Sequence, residues 1–419
     1  MNPRLQNLLP ILAMITALLS TPPARADFAL RDKDTVVFLG DSITAARTYG
    51  KIIENYTLLR YPNRRVRFIN SGWGGDTAAG GLKRLDKDVF AHGATVLTVA
   101  YGVNDIGWGL KADSEHKRAY LEAIQGIVAR CREHKVRVFI CSAAITAEDP
   151  ATAENGFLQK MCDEGMAISR EMGEGSIDVQ RTMRKIQRNV RSAAQASKDD
   201  KDKSTLHVAD GVHLNDLGQL AMAFAILKGL GAPADVSSVS LNARDPAAIA
   251  AIACRVSSVR ADAAHVEFDR LDEGLPLNFG VFGALQFRFI PIPDELDRYM
   301  LTVTNLSPGQ YDVLADARPL GAFSAKQLAQ GINICSATAD GWQPGGPWDA
   351  EAGALIRITD ARFELLEAQR QADAYLPEHP ALSSIRSQAD AVNTRLEALQ
   401  RSLVKPRPFH FEIRPAARK

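Results

Sequence analysis

The sequence predicts an α/β fold: a parallel sheet covered by helices on both faces, followed by a small β region and a helical hairpin. Three observations carry this. Between Asp34 and about Gly231, short apolar runs alternate with helical stretches. Such strands need right-handed crossovers, and the crossing helices bury both faces of the sheet. After about Asp235 the pattern changes to alternating runs separated by turn signals. From about Pro347 to Leu403 a helical period returns, broken at Pro377 to Pro380.

The strands follow in order. Thr35 to Leu39 is short, apolar and β-branched, and Arg65 to Asn70 alternates inward and outward. Thr95 to Tyr101 and Val136 to Cys141 are further apolar runs, and Ser176 to Val179 is a weaker fifth. Ala119 to His134 is a connecting helix with Leu121, Ile124, Ile127 and Val128 on its apolar face. Leu217 to Leu227 is an apolar helix that closes this part, and Gly229, Gly231 and Pro233 stop it. The run Lys198 to Lys203 reads as a solvated helix end or loop. Beyond Asp235, Val266 to Asp269, Leu285 to Ile290, Tyr299 to Val303 and Tyr311 to Leu314 read as antiparallel strands. Phe409 to Ile413 alternates and returns a strand to that region. In the helical part, Ile385, Val392, Leu396, Leu399 and Leu403 form an apolar stripe expected to pack.

A chain of 419 residues exceeds one ordinary core. The expected division is 1–26, 27–235, 236–346 and 347–419. The first piece reads as a processing signal, with a positive start at Arg4, an apolar run from Leu8 to Leu19, and a small-x-small site at Ala24-Arg25-Ala26. That run is shorter than the roughly 20 residues a bilayer span needs. Cleavage before Asp27 then predicts a secreted or periplasmic protein with no stable membrane insertion. A formal charge of +1 gives no reason to expect nucleic acid as a partner. Five cysteines, an odd number without CxxC spacing, indicate no zinc site and leave at least one thiol unpaired. Most of them read as small buried apolar residues.

Four segments at the carboxyl ends of the strands carry the chemistry, where ligands sit in open parallel sheets. Gly40-Asp41-Ser42-Ile43 follows the first strand and exposes a serine hydroxyl at a strand-to-helix turn. Asn70 to Thr77 is a glycine-rich loop whose amides can approach a ligand closely. Gly102-Val103-Asn104-Asp105 offers a side-chain N–H to a developing oxyanion. Asp210-Gly211-Val212-His213 sets a carboxylate three residues before an imidazole, where it can fix the tautomer that takes a serine proton. Each segment alone would also serve as a helix cap or turn. His207, which has no such carboxylate spacing, reads as structural.

In their order and common placement, these blocks resemble the SGNH (GDSL-type) serine hydrolase family, lysophospholipase-like members included. The resemblance covers about Asp34 to Gly231. It implies a flavodoxin-like three-layer α/β/α sandwich with a five-stranded parallel sheet. It implies Ser42 as nucleophile, His213 as general base and acid, and Asp210 as its orienter. Ser42 and Gly75 through their backbone N–H groups, and Asn104 through its side chain, would form the oxyanion hole, with Gly74 as the alternative to Gly75. Asp41 and Asp105 are expected to brace loops. No metal and no organic cofactor is called for. The expected substrate is a small-molecule or polysaccharide ester, with acetyl groups on carbohydrate foremost. A lipolytic acyl hydrolase and a non-catalytic glycan-binding envelope protein are the alternatives. Trp342 and Trp348 would stack on sugar rings if exposed and plug a proline-rich linker if not.

Overall fold

The computed structural model describes residues 28–196, 204–279 and 285–416. The predicted leader and the run Lys198 to Lys203 lie outside them. Strands β1 (Thr35–Gly40), β2 (Arg67–Gly72), β3 (Val96–Ala100), β4 (Arg137–Cys141) and β5 (Gly175–Ile177) form one parallel sheet in the order β2-β1-β3-β4-β5. Every residue of β1 is buried. Its side chains alternate between the two covering layers: Val36 and Phe38 enter one core, Val37 and Leu39 the other. This is the predicted three-layer sandwich.

One core closes under the helix Ser114–Glu133, through Ile124, Ile127 and Val128. The other is larger, because the helix Asp216–Gly229 is buried almost all round. Leu220 and Phe224 share a continuous cluster with Val239, Tyr299, Trp348 and Phe411 of the C-terminal region. The C-terminal part therefore packs on the outer side of that helix.

That part contains two sheets. One runs β13-β10-β6-β7, built from β6 (Asp235–Asn242), β7 (Asp245–Ile252), β10 (Arg298–Thr304) and β13 (Ile332–Asn333). The other runs β12-β11-β14-β9-β8, from β8 (Cys254–Ala261), β9 (Val266–Asp272), β11 (Gln310–Ala315), β12 (Arg318–Ser324) and β14 (Phe409–Pro415). The return strand is present as β14, between β11 and β9. Two expectations are corrected. The region is not wholly antiparallel, since β6 and β10 pair in parallel with Val239 opposite Leu301. The long excursion between them permits the crossover that parallel pairing needs. Leu285–Arg288 forms a 3-10 turn and no strand.

The helical hairpin, Pro347–Tyr375 and Leu382–Leu403, docks on the helix Thr48–Arg60 through a buried polar network. Arg362 pairs with Glu54. Gln400 Nε2 donates to Glu54 Oε1 at 3.1 Å and to Thr359 Oγ1 at 2.7 Å. Thr359 Oγ1 donates to Asn55 Oδ1 at 2.6 Å. Burial pushes the Glu54 carboxyl up, and the Arg362 charge opposes that. The expected apolar stripe is only partly used. Ile385, Val392 and Leu399 remain exposed, because this helix turns Leu382, Ala389 and Gln400 inward.

Removing one partner of such a pair leaves the other buried and uncompensated. Arg362→Ala should lower unfolding stability by about 3–5 kcal/mol in urea titrations, and the double change Glu54→Leu with Arg362→Met should recover most of the loss. A single variant as stable as wild type would show that the hairpin does not rely on this pair.

Candidate active site

Tight packing at the end of β1 creates the turn that carries Ser42. A Cβ on Gly40 would lie 2.1 Å from Thr44 Oγ1 and 2.8 Å from the Ala100 carbonyl, so only glycine lets the chain turn there. The short helix Ser42–Ala45 follows, capped by Asp41, whose Oδ1 accepts from the Ile43 N–H at 2.9 Å. Ser42 is thus at the first helical position, with its N–H pointing out of the helix end.

Asp210 and His213 arrive on a loop that folds back on itself. His207 bridges to Leu214, and the Val208 N–H donates to the His213 carbonyl at 2.9 Å. The buried His207 holds this loop through its Nε2, 3.0 Å from the Ile145 carbonyl, which is the structural role expected for it. Ser42 Oγ lies 2.8 Å from His213 Nε2, and His213 Nδ1 lies 2.6 Å from Asp210 Oδ2. With the proton on Nδ1 donated to Asp210, Nε2 is free to accept from the serine hydroxyl.

Three carboxyls near the triad differ in environment. The hydrogen bond from His213 and the backbone N–H groups of Val212 and His213 hold Asp210 down at about 2. Burial pushes Asp41 up to about 7 and Asp105 up to about 6. Asp210 is therefore the carboxylate that stays ionised beside the imidazole. Asp105 braces, as expected of it: its Oδ1 accepts from the Ala78 N–H at 3.0 Å, tying the third strand's loop to the glycine loop.

In that loop, the Asp76 N–H closes a turn on the Trp73 carbonyl at 3.3 Å, with Gly75 at φ +71°. A positive φ at this place selects glycine. The Gly75 N–H donates to no acceptor among the described residues. Asn104 Nδ2 donates to the Asp76 carbonyl at 3.0 Å, which uses one of its two hydrogens. The structure thus brings Ser42, Asp210 and His213 into one chain of contacts and sets Asn104 beside the loop that carries Gly75.

Several residues at the site were not anticipated. The Asp76 carboxylate accepts from Arg84 Nε at 2.9 Å and Tyr101 OH at 2.7 Å, pinning the loop to the end of β3. Trp108, 50% exposed, donates its indole N–H to Asn104 Oδ1 at 2.9 Å and stands edge-on to His213, ring centroids 5.8 Å apart. Its backbone is left-handed, φ 57° and ψ 31°, a conformation that costs a bulky residue about 1–2 kcal/mol. The C-terminal hairpin also reaches the site. Glu367 pairs with Arg47, just beyond the serine helix, and with Arg370 at 2.7 Å. The Arg370 guanidinium lies 5.4 Å from the centre of the exposed Trp73 ring. No sequence signal announces these last contacts, which join residues some 300 positions apart. Of the two tryptophans proposed for sugar stacking, Trp348 is fully buried against Tyr299, Phe409 and Phe411, and Trp342 is exposed.

A cavity of about 380 Å³ is lined by Asp210, but not by Ser42 or His213. Val103, Ile106, Trp108 and Phe157 give it apolar walls, and Gln180 and Arg184 lie at its polar end. Among the described residues, one group has metal-ligand spacing: His265, Glu267 and Glu412, on the third sheet. There Glu267 is held by Arg260 at 2.6 Å and Glu412 by Arg414 at 3.2 Å.

Residues 38–221 match the model of the GDSL-like Lipase/Acylhydrolase family. No curated protein matches the chain. A gut microbial diltiazem-metabolizing enzyme shares the fold with a TM-score of 0.79 and 22% identity, over 94% of this chain and 100% of that one. An α/β hydrolase from the metagenome of Lake Arreo, Spain, has 20% identity and a TM-score of 0.40, covering 49% of this chain and 98% of its own. Axe2, an acetylxylan esterase from Geobacillus stearothermophilus, has 17% identity and a TM-score of 0.40, covering 48% and 96%. Residues 38–221 form a GDSL-like lipase/acylhydrolase domain, and the chain that carries it is a carboxylic ester hydrolase.

Proposed function

We propose that this chain is an exported serine esterase that removes small acyl groups, acetyl foremost, from carbohydrate. The observation that carries the catalytic part is the contact chain Ser42 Oγ–His213 Nε2–Asp210, at 2.8 and 2.6 Å. Ser42 Oγ attacks the ester carbonyl carbon as His213 Nε2 takes its proton. The resulting oxyanion receives the N–H groups of Ser42 and Gly75 and the second hydrogen of Asn104 Nδ2. Collapse breaks the bond to the alcohol, which leaves with the proton from His213. Water then attacks the acyl-serine, gives a proton to His213, and releases the acid as Ser42 recovers its own.

The carbohydrate part rests on the rim. Trp108, 50% accessible, and Trp73, 40% accessible with the Arg84 and Arg370 guanidiniums over its ring, offer aromatic surface to a sugar. Export rests on the leader pattern in residues 1–26. One observation favours the lipolytic alternative: the apolar walls of the cavity that Asp210 lines would take an acyl chain of several carbons.

Ser42→Ala should stay folded by circular dichroism and lose about 10⁴-fold or more in kcat on p-nitrophenyl acetate. A fluorophosphonate should label wild type only, and equal labelling of the variant would put the nucleophile elsewhere. Across p-nitrophenyl acetate, butyrate, octanoate and decanoate, kcat/KM should be highest for acetate, and acetylated xylan should release acetate. A maximum at octanoate or longer, without acetate release, would replace this reading with the lipolytic one. Asn104→Ala should lower kcat by about 10²- to 10³-fold with little change in KM. Unchanged turnover in that folded variant would remove Asn104 from the oxyanion hole.

A further inference from the structure

Trp108 spans the two halves of the catalytic apparatus, and its conformation is unfavourable for the residue type. It lies between Gly107 and Gly109, and all three have positive φ, at 51°, 57° and 94°. Backbone bonds around it hold this shape: Trp108 N–H to the Val103 carbonyl at 2.9 Å, Gly107 N–H to the Asn104 carbonyl at 3.0 Å, and Lys111 N–H to the Ile106 carbonyl at 3.0 Å. A glycine would adopt the same turn without strain. Nor does the indole earn its place by burial, for half its surface is exposed while Trp348 is fully enclosed. The strained turn instead delivers the indole N–H to Asn104 Oδ1 at 2.9 Å and the ring edge to His213. Strain held at a site where a side chain meets reacting groups points to a role in the reaction.

The chemistry of the amide gives that role. An indole N–H only donates, so its partner must be the carbonyl end of Asn104. The Asp76 carbonyl only accepts, so it takes a hydrogen from the Nδ2 end. The two contacts grip the carboxamide from opposite ends. They fix its rotation and leave the second Nδ2 hydrogen with one direction. Donation into Oδ1 also polarises the amide and strengthens that hydrogen as a donor. We propose that Trp108 is a positioning residue for ester hydrolysis, acting through Asn104 by locking and polarising the amide that holds the oxyanion. This rests on the oxyanion role of Asn104 given above. The contact with His213 uses the ring and not the N–H, so the two effects separate.

The test is a double-mutant cycle on the full-length enzyme with p-nitrophenyl acetate. Trp108→Phe keeps a ring beside His213 and removes the donor. It should lower kcat about tenfold with KM unchanged. In the Asn104→Ala background the same change should have less than about a twofold effect, because its target is gone. An equal loss in both backgrounds, or no loss in either, overturns the proposal. The reading beneath it fails separately, if Asn104→Ala alone leaves kcat unchanged. Trp108→Gly guards against a folding defect. Since glycine suits the left-handed turn, its melting temperature should match or exceed that of wild type while kcat falls at least tenfold. A melting temperature that drops together with kcat would mark Trp108 as structural and sink the proposal.

Discussion

Five parallel strands must be covered on both faces, and here the cover on one face is itself covered. The helix Asp216–Gly229 has hardly a polar side, because the sheet lies under it and the C-terminal region lies over it. A helix buried all round belongs to an interior. The same helix is entered through the loop that carries Asp210 and His213, and Asn215 caps it by accepting from the Gly218 N–H at 3.0 Å. His213 is thus delivered by the loop that enters the most enclosed helix of the described N-terminal half. Ser42 is delivered from β1, enclosed on both faces. Ser42 and His213 thus stand on enclosed footings.

Electrostatics sorts the acids within this frame. Asp41, Asp105 and Asp210 occupy neighbouring loops, yet burial raises the first two and donated hydrogens lower the third. The buried acids each accept a backbone N–H: Asp41 caps the helix that begins at Ser42, and Asp105 fastens its loop to Ala78. Asp210, in contact with water and gripped by three donors, keeps its charge for the imidazole.

What was legible in the sequence was whatever is local. Each of the four blocks is a strand end followed by a turn, and its chemistry is written in adjacent residues. Trp108 was illegible, because a left-handed tryptophan in Gly-Trp-Gly has no propensity signature and its partner Asn104 is met through the turn. Arg370 and Glu367 sit on a helix of mixed polarity whose contact with Trp73 and Arg47 exists only in the folded chain. The β region was partly readable. β9, β10, β11 and β14 alternate clearly, but the alanine-rich β7 has Ile249 and Ile252 as its branched residues, shows no inward–outward alternation and lies exposed along its whole length. At Leu285–Arg288 alternation misled, and the prolines at 291 and 293 that follow were the better guide.

The pairing of Glu54 with Arg362 bears on the order in which the molecule comes into being. Glu54 belongs to a helix against the first strand, while Arg362 and Gln400 follow more than 300 residues later. Until the ribosome has passed residue 400, the early helix presents an acid to a surface that has nothing to neutralise it. Contacts so distant along the chain close slowly, since a long loop must be brought together before any of them forms. The helix that carries Glu54 therefore completes its buried contacts only with residues more than 300 positions downstream of it.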